Sequence, residues 1–321
     1  MSKLIIQIPC FNEAGTLGDT LSNLPRQVEG FDAVEILVID DGSVDATSEV
    51  ARRAGADHVV RMPRNRGLAH AFTLGLNEAL RLGADVIVNT DADNQYCAAD
   101  IPKLVDPIVR GEADFVVGAR PIASIAHFSP LKKLLQRLGS WVVRKVSRTE
   151  IPDAPSGFRA MSRRAALELK VFNEYSYTLE TIIQAGLKGM AITSVPISVN
   201  SPTRPSRLVR NIPSYVGSQL LTILRILMTY RPFQFFFVPG VLAFLVGFGI
   251  GMRFLYFYVT GDGAGHIQSL LLGTLLLGTG LLLVLVGFVA DLTSVNRKLL
   301  EGMDARLHRM EEGLSKNHYR E

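Results

Sequence analysis

The amino-acid sequence predicts an α/β sandwich, followed by amphipathic helices and a two-helix transmembrane hairpin. Over residues 1 to about 118, short apolar runs alternate with helical patterns, as they do where crossover helices join parallel strands. The C-terminal third instead holds two long runs without any charged residue. The composition agrees, because 48% hydrophobic residues suit a globular domain with a membrane segment better than a purely soluble enzyme.

Strands are predicted where short apolar runs are bounded by turn residues, at 3–9, 34–39, 58–62, 86–90 and 115–118. Helical patterns lie between them at 14–26, 44–55, 67–82 and 100–110. The apolar run at 83–90 is expected to form a central strand, with both of its faces buried. A later unit comprises a loop at 153–159, a helix around 178–188 and a strand at 191–198.

Basic residues are concentrated in two tracts that contain no Asp or Glu, residues 115–149 and 181–261. Although the net charge is only +4, these tracts predict two strongly positive surfaces. Such surfaces would attract nucleic acid, anionic lipid or a phosphorylated substrate. Within the first tract, residues 130–148 place an apolar stripe opposite Lys and Arg, as an interfacial membrane helix does. A core-packing helix with a solvated basic face fits this segment equally well. The stripe comprises Leu131, Leu134, Leu135, Leu138, Trp141, Val142 and Val146.

The C-terminal third predicts two membrane spans, at about 233–257 and 267–290. The uncharged stretch at the start of the first span has a helical length of roughly 30 Å, the thickness of a bilayer core. A short Gly-rich connector joins the two spans into a hairpin. Basic residues flank its open ends at Arg225, Arg231 and Arg297, so the positive-inside rule puts these ends in the cytoplasm.

These spans set the expected domain order. A cytoplasmic catalytic domain at 1–210 precedes a juxtamembrane interfacial helix at 211–231, and a cytoplasmic tail helix at 291–321 follows the hairpin. The N-terminal apolar run is too short for a signal peptide, and Cys10 and Cys97 have neither a disulfide nor a metal spacing. The expected location is the cell membrane, where the membrane helices could also support a homo-oligomer.

Three polar clusters, at 9–13, 40–43 and 91–96, each follow directly on a predicted strand. In a parallel sheet they would all emerge at the carboxyl edge, where such sheets bind ligands. One cluster alone could be a turn or a helix cap, but three at one edge predict a binding site. Within the second cluster, Asp40 and Asp41 could take ribose hydroxyls or the edge of a base.

The third cluster predicts a site for Mg²⁺ or Mn²⁺. Asp91 and Asp93, with Gln95 as a further oxygen, supply hard ligands and neither Cys nor His. A divalent ion held there would neutralise the diphosphate of a nucleotide-sugar as the glycosidic bond breaks. Residues 65–67 precede a predicted helix whose N-terminus could also face phosphate.

The order of these motifs resembles family 2 glycosyltransferases of the GT-A fold, a Rossmann-like sandwich. The motifs are IPCFNE (8–13), DDGS (40–43), NRGLAHAF (65–72), DADNQY (91–96), GAR (118–120) and SGFR (156–159). The likeness covers roughly residues 4–210 and is greatest to the dolichol- and polyprenyl-phosphate hexose synthases. It implies an inverting, metal-dependent transfer of a hexose from a GDP- or UDP-sugar to polyprenyl phosphate at the cytoplasmic membrane face.

The resemblance also implies residue roles. Asp91, Asp93 and Gln95 would form the metal site. Donor binding is expected at Pro9, Phe11, Asn12, Glu13, Asp40, Asp41, Asn65, Gly67 and Asp91. Phosphates of donor or acceptor would be contacted by Arg120, Lys132, Lys133, Arg137, Arg204 and Arg207. Arg207 stands where that branch has the Lys of a Ser-Lys-Leu-like signature, and Arg can grip phosphate through two hydrogen bonds.

The residues support a phosphate acceptor independently of the resemblance. A phosphate oxygen is already anionic at neutral pH, so it needs positioning and relief from repulsion more than a strong base. The basic tracts could provide both. If the acceptor were a sugar hydroxyl, Asp153 or Glu180 could act as the base. Asp153 could equally organise its loop, and Glu180 could equally be a solvated helix residue.

Other functions fit the sequence less well. A membrane glycosyltransferase acting on a glycolipid or polysaccharide hydroxyl is the main alternative, but a polysaccharide synthase would carry a Gln-x-x-Arg-Trp run, which the only tryptophan, Trp141, lacks. A nucleotidyltransferase would begin with a Gly-rich loop, and a non-catalytic relative would be expected to lose the metal pair. Nucleic-acid binding is disfavoured because the basic tracts have Leu-rich faces and lie beside the membrane spans.

Overall fold

A computed structural model of the protein describes residues 2–121, 130–169, 171, 177–200, 221, 224–225, 227–261 and 266–318. The chain folds into two compact units, Met1–Gln219 and Leu220–Glu321.

The first unit is built around one sheet of seven strands in the order β3-β2-β1-β4-β6-β5-β7. The strands are β1 (Lys3–Cys10), β2 (Ala33–Asp40), β3 (His58–Arg61), β4 (Val86–Asn89), β5 (Phe115–Ala119), β6 (Arg159–Ser162) and β7 (Ile192–Pro196). The predicted strands are confirmed to within about two residues at each end. The central position of β4, fourth of the seven, is also confirmed.

The sheet is mixed rather than wholly parallel, because β6 runs antiparallel to both of its neighbours, β4 and β5. The sequence predicts a loop at the start of this strand, residue 159, and does not predict the strand itself. The reason is local: β6 is only four residues long and begins with a charged residue, Arg159, so it shows no apolar run. The burial of β6 depends instead on its pairing with β4 and β5, which are distant from it in the sequence.

Helices cover the strands of the first unit. They are α1 (Leu17–Asn23), α2 (Thr47–Arg53), α3 (Leu68–Arg81), α4 (Ile101–Val109), α5 (Pro130–Ser147), α6 (Arg163–Glu168) and α7 (Tyr177–Leu187). A 3₁₀ turn at Ala98–Asp100 leads into α4. The predicted helices of this unit are confirmed, although the first two are shorter than their patterns, and α6 is not predicted.

The core lies between the sheet and these helices. Leu4, Ile6 and Ile8 of β1 and Val88 of β4 are fully buried there. Burying each such side chain stabilises the fold by about 1.5–3 kcal/mol. Because parallel β1, β2 and β4 are anchored in register, their carboxyl ends bring the three polar clusters to one edge of the sheet.

Helix α5 has two different faces among the side chains that the structure describes. Ser140, Val143 and Val146 are buried in the domain, whereas Trp141 is 54% exposed and Lys145 is exposed. The predicted single stripe is therefore split, because Val146 faces the core and Trp141 faces outward. The helix packs on the core, as the second interpretation expects, and it presents Trp141 beside the basic Lys145 on its outer face. Its contact with a membrane interface stays a prediction.

The second unit contains two long apolar helices, α8 (Pro232–Val259) and α9 (Ile267–His318). Both are long and apolar enough to cross a membrane, with only 11% and 17% of their most apolar stretches buried within the protein. Such a large exposed apolar surface is typical of helices covered by lipid and not of a soluble core. Helix α9 runs through the predicted second span and the predicted tail helix without interruption, as far as His318.

Glycines allow α8 and α9 to approach closely. A Cβ atom on Gly247 would lie 2.8 Å from the backbone nitrogen of Leu277, and one on Gly280 would lie 2.6 Å from that of Phe244. Close backbone contact through small residues is the usual way in which apolar helices pack in lipid. The two helices thus form the hairpin that the Gly-rich connector predicts.

Candidate active site

The loops after β1 and β2 are tied to each other at the carboxyl edge of the sheet. The backbone N–H of Asn12 donates to Ser43 Oγ at 2.9 Å, and the N–H of Val44 donates to Asn12 Oδ1 at 2.9 Å. Asn12 has a φ of 54°, a left-handed conformation that Asn adopts more readily than most residues. The first two predicted clusters are therefore neighbours in space.

The acid pair of the second cluster is buried and hydrogen-bonded within the protein. Asp41 accepts from the backbone N–H groups of Arg66 (2.7 Å) and Gly67 (2.8 Å), just before α3. Asp40 accepts from the N–H of Ser43 at 2.8 Å and from the Ser48 hydroxyl. Both carboxylates thus organise the loops of the site, so any contact with a ribose or a base would be additional to these bonds.

The remaining predicted donor residues surround these two loops. Phe11 is 38% exposed, so part of its ring is available to a ligand. The Glu13 carboxylate accepts from the hydroxyl of Thr16 at 2.8 Å. Pro9 is buried at the end of β1, and Asn65 is exposed ahead of α3.

The metal loop, residues 91–96, follows β4 and carries the two aspartates predicted to bind a cation. Burial, and then the negative charge of Asp93, raise the pKa of Asp91 to about 7, although Arg120 and Arg159 oppose the shift. Among the described residues no hydrogen-bond donor to Asp91 is found. Asp93, in contrast, accepts from Gln95 through its backbone N–H (3.2 Å) and its side-chain Nε2 (2.8 Å).

This arrangement fits a divalent cation. Two adjacent carboxylates, one of them half-buried and without a donor, would be relieved of their repulsion by an ion with oxygen ligands. No group of three or more His, Cys, Asp or Glu side chains with metal-binding geometry occurs in the part of the chain that the structure describes. Two carboxylates are enough for an ion such as Mg²⁺ when substrate phosphates and water complete its shell.

Arg120 and Asp153 form a buried ion pair beside the metal loop. Arg120 Nε donates to Asp153 Oδ2 at 2.7 Å, and its Nη2 donates to Oδ1 at 3.0 Å, so the contact is bidentate. The Asp153 side chain is 1% exposed and that of Arg120 is 16% exposed. Asp153 thus orients Arg120, which supports a role in organising the site and not one as a base.

Sequence reasoning missed the contacts between Asp91 and the loop that contains Gly157. A Cβ atom on Gly157 would lie 3.0 Å from both carboxylate oxygens of Asp91, so only glycine fits there without displacing it. The N–H of Gly157 donates to the Tyr96 hydroxyl at 2.9 Å, and Asn89 Nδ2 donates to the Gly157 carbonyl at 2.8 Å. The SGFR motif marked this loop, but its partners lie far away in the sequence.

Arg159, the last residue of that motif, is fully buried. It donates to the carbonyls of Ser156 (2.7 Å) and Ala154 (2.8 Å) and to Thr181 Oγ1 (2.6 Å). Its guanidinium lies 5.5 Å from the ring centre of Tyr177. Burial lowers the pKa of Arg159 to about 10, which still leaves it charged at neutral pH. Arg159 therefore fixes the loop that contacts Asp91 and places a positive charge near the Asp91 carboxylate.

Of the other predicted site residues, the structure describes the side chain of Glu180. Glu180 is 5% exposed on α7, so the alternative of a solvated helix residue is wrong. Arg204 and Arg207 lie outside the described residues. The same holds for the side chains of Lys132, Lys133 and Arg137.

Cys10 is expected to resist alkylation in the folded protein. Burial raises the pKa of its thiol, and the nearby carboxylate of Asp40 raises it further, so the reactive thiolate is not formed at pH 8. Mass spectrometry after N-ethylmaleimide treatment should find Cys10 unlabelled in the native chain and labelled in denaturant. Rapid labelling of native Cys10 would contradict its burial. Cys97, which is half-buried, provides the internal comparison.

Comparison with protein families assigns most of this site to one family. A model described as "Glycosyl transferase family 2" matches residues 5–169, which are 165 of the 321 residues. The matched stretch includes all three polar clusters and the SGFR loop.

Two curated relatives illustrate the likeness. The UDP-N-acetylglucosamine–dolichyl-phosphate N-acetylglucosaminyltransferase of Methanococcus voltae is 31% identical over 221 residues, covering 61% of this chain and 85% of the relative. The undecaprenyl-phosphate mannosyltransferase of Micrococcus luteus is 29% identical over 206 residues, covering 61% of this chain and 83% of the relative.

A solved structure agrees with the fold. Glucosyl-3-phosphoglycerate synthase of Mycobacterium tuberculosis, in complex with Mn²⁺, UDP and glucosyl-3-phosphoglycerate, superimposes with a TM-score of 0.56 at 20% identity. The match covers 71% of this chain and 80% of that chain. At this identity the likeness concerns the fold alone, and it supports the GT-A sandwich predicted from the motifs.

Proposed function

The chain belongs to glycosyl transferase family 2, and from this premise we propose that it transfers a hexose from a nucleotide-sugar to polyprenyl phosphate. The observation that carries the proposal is the half-buried Asp91 carboxylate, which lacks a donor among the described residues and lies beside Asp93. Such a pair is suited to a divalent cation and hence to a diphosphate. The named relatives act on dolichyl and undecaprenyl phosphate, which supports the same acceptor class here.

The donor is a GDP- or UDP-sugar held at the carboxyl edge of the sheet. Phe11 offers an exposed ring at this edge, and the metal loop lies at the end of neighbouring β4. Asp91 and Asp93 would hold Mg²⁺ or Mn²⁺, which would supply positive charge to neutralise the leaving diphosphate. The complex of the M. tuberculosis synthase with Mn²⁺ and UDP supports this chemistry for the fold.

The acceptor phosphate attacks the anomeric carbon and inverts its configuration. The new bond joins a phosphate oxygen to that carbon, while the bond to the nucleoside diphosphate breaks and its electrons leave with the diphosphate. Because the attacking oxygen is already anionic, no carboxylate has to accept a proton. The burial of Asp153 in its ion pair agrees with this, since both of its oxygens are occupied by Arg120.

The reaction takes place at the cytoplasmic membrane face. Helices α8 and α9 anchor the enzyme there, and the exposed Trp141 and Lys145 of α5 suit the headgroup region of a bilayer. A lipid acceptor would then be supplied from the membrane itself.

The direct test is an assay of the purified full chain in detergent, with polyprenyl phosphate and a panel of nucleotide-sugars in Mg²⁺ or Mn²⁺. Mass spectrometry of the lipid product would identify the sugar and the acceptor together. A polyprenyl-phosphate sugar in at least one reaction is expected. Transfer only to a glycolipid hydroxyl, or no transfer from any donor, would contradict the proposal.

Arg207→Ala is expected to raise the KM for polyprenyl phosphate about tenfold and the KM for the donor by less than twofold. The reason is that loss of one charge-assisted bond to phosphate removes about 1.5–3 kcal/mol of binding. Initial-rate kinetics with each substrate varied in turn measure both constants. An equal rise in the KM values for donor and acceptor would indicate instead that Arg207 contacts the donor.

A further inference from the structure

Asn200 contacts three consecutive residues of the metal loop. Its backbone N–H donates to the carbonyl of Gln95 at 2.8 Å. Its side-chain Nδ2 donates to the carbonyl of Asn94 at 2.9 Å and to that of Tyr96 at 3.4 Å. An asparagine side chain suits this position because its Nδ2 carries two N–H groups.

Asn200 ends a short segment that pairs with the loop. Val199 forms an isolated antiparallel bridge with Tyr96, and the N–H of Cys97 donates to the carbonyl of Ser198 at 3.4 Å. The segment is itself held at its start, where the N–H of Ser198 donates to Asp100 at 2.6 Å. The residues after β7 therefore brace the loop that carries Asp91 and Asp93.

The braced residues are those that orient the two aspartates. Gln95 holds Asp93 through its N–H and its side chain, and its own carbonyl is held by Asn200. The Tyr96 hydroxyl accepts from the N–H of Gly157, whose Cα lies against the Asp91 carboxylate. Asn200 is thus linked to Asp93 through Gln95, and to Asp91 through Tyr96 and Gly157.

We infer that Asn200 is a positioning residue for the metal site, whose side-chain bonds to Asn94 and Tyr96 help to set the affinity for Mg²⁺ or Mn²⁺. The inference rests on the proposed function, because it concerns the cation assigned there to Asp91 and Asp93. Asn200 is exposed, so its bonds contribute little to the stability of the fold and can be removed without unfolding it. Removing the hydrogen-bond partners that orient metal ligands typically weakens metal binding by about tenfold or more.

The test is Mn²⁺ binding to the purified full chain in detergent, measured by electron paramagnetic resonance without any sugar donor. Asn200→Ala, which removes the side-chain bonds to Asn94 and Tyr96 but keeps the backbone bond to Gln95, is expected to weaken binding about tenfold. Asn77→Ala, which removes an exposed asparagine from α3 of the same unit, should bind like the wild type. Thermal unfolding should be unchanged in both variants.

Asn200→Asp separates positioning from charge. This nearly isosteric variant loses the side-chain donors and adds a negative charge, which by Coulomb attraction alone would tighten Mn²⁺ binding. Weaker binding in this variant supports positioning. Tighter binding, or wild-type binding by Asn200→Ala, would overturn the inference while leaving the metal site intact. Absence of Mn²⁺ binding by the wild type would instead contradict the metal site itself, and the inference with it.

Discussion

Asp91→Asn is expected to lower turnover by about three orders of magnitude while the fold is retained. A bound divalent ion supplies several kcal/mol of transition-state stabilisation, and each 1.36 kcal/mol corresponds to a factor of ten in rate. The change keeps the size of the side chain but removes the charge that would hold the cation. Steady-state turnover with the donor identified in the panel assay measures the effect, and Mn²⁺ binding should be lost in parallel.

Unfolding experiments distinguish this loss from damage to the fold. Burial and Asp93 raise the pKa of Asp91 in the native state to about 7, so the native state holds this proton more tightly than the unfolded chain does. The contribution of Asp91 to stability therefore falls as pH rises from about 4 to about 7. At pH 8 without metal, Asp91→Asn should unfold at the same temperature as the wild type or higher.

An exposed carboxylate of the same unit provides the control for this prediction. Asp19→Asn removes an exposed carboxylate from α1 in the same unit and should leave turnover within about twofold. Asp93→Asn should resemble Asp91→Asn in turnover. Near-normal activity in either metal-loop variant would show that the aspartates do not hold a catalytic cation.

Arg120→Leu is expected to reduce both stability and turnover strongly. Breaking a buried ion pair from one side costs about 3–5 kcal/mol, because the remaining charge is buried without its partner. Here the remaining charge is Asp153, whose side chain is 1% exposed. Denaturant unfolding at neutral pH should record this loss, and turnover should fall about a hundredfold or more if Arg120 contacts the phosphates.

The double variant with Arg120→Leu and Asp153→Leu distinguishes a structural role of Arg120 from a direct role in the reaction. Replacing both charges by apolar groups of similar size can restore the stability of such a pair. If Arg120 acts on the phosphates, the double variant should regain stability but remain inactive. Recovery of turnover along with stability would mean that the ion pair serves only to hold the loop. Arg120→Lys keeps the charge without the bidentate contact. Its stability and turnover should therefore lie between those of the wild type and those of Arg120→Leu.

The donor side of the site could be predicted because its residues are marked by local pattern. Each polar cluster follows an apolar run, and the ends of parallel strands meet at one edge whatever the rest of the chain does. The placement of Asp91 and Asp93 after central β4 follows from this rule. Gln95 Nε2 donates to Asp93, so its amide oxygen is the atom through which Gln95 could bind a cation.

Local pattern alone determined six of the seven strands, the acidic loop after β4 and the two apolar helices. Only the tertiary structure decided which residues support that loop. Gly157 reaches Tyr96 across 61 positions of sequence, and Asn200 reaches Asn94 across 106. Such contacts leave no periodic or compositional signal, because they depend on how distant segments are packed. The metal loop that the sequence marks is thus held in place by residues that only the folded chain brings to it.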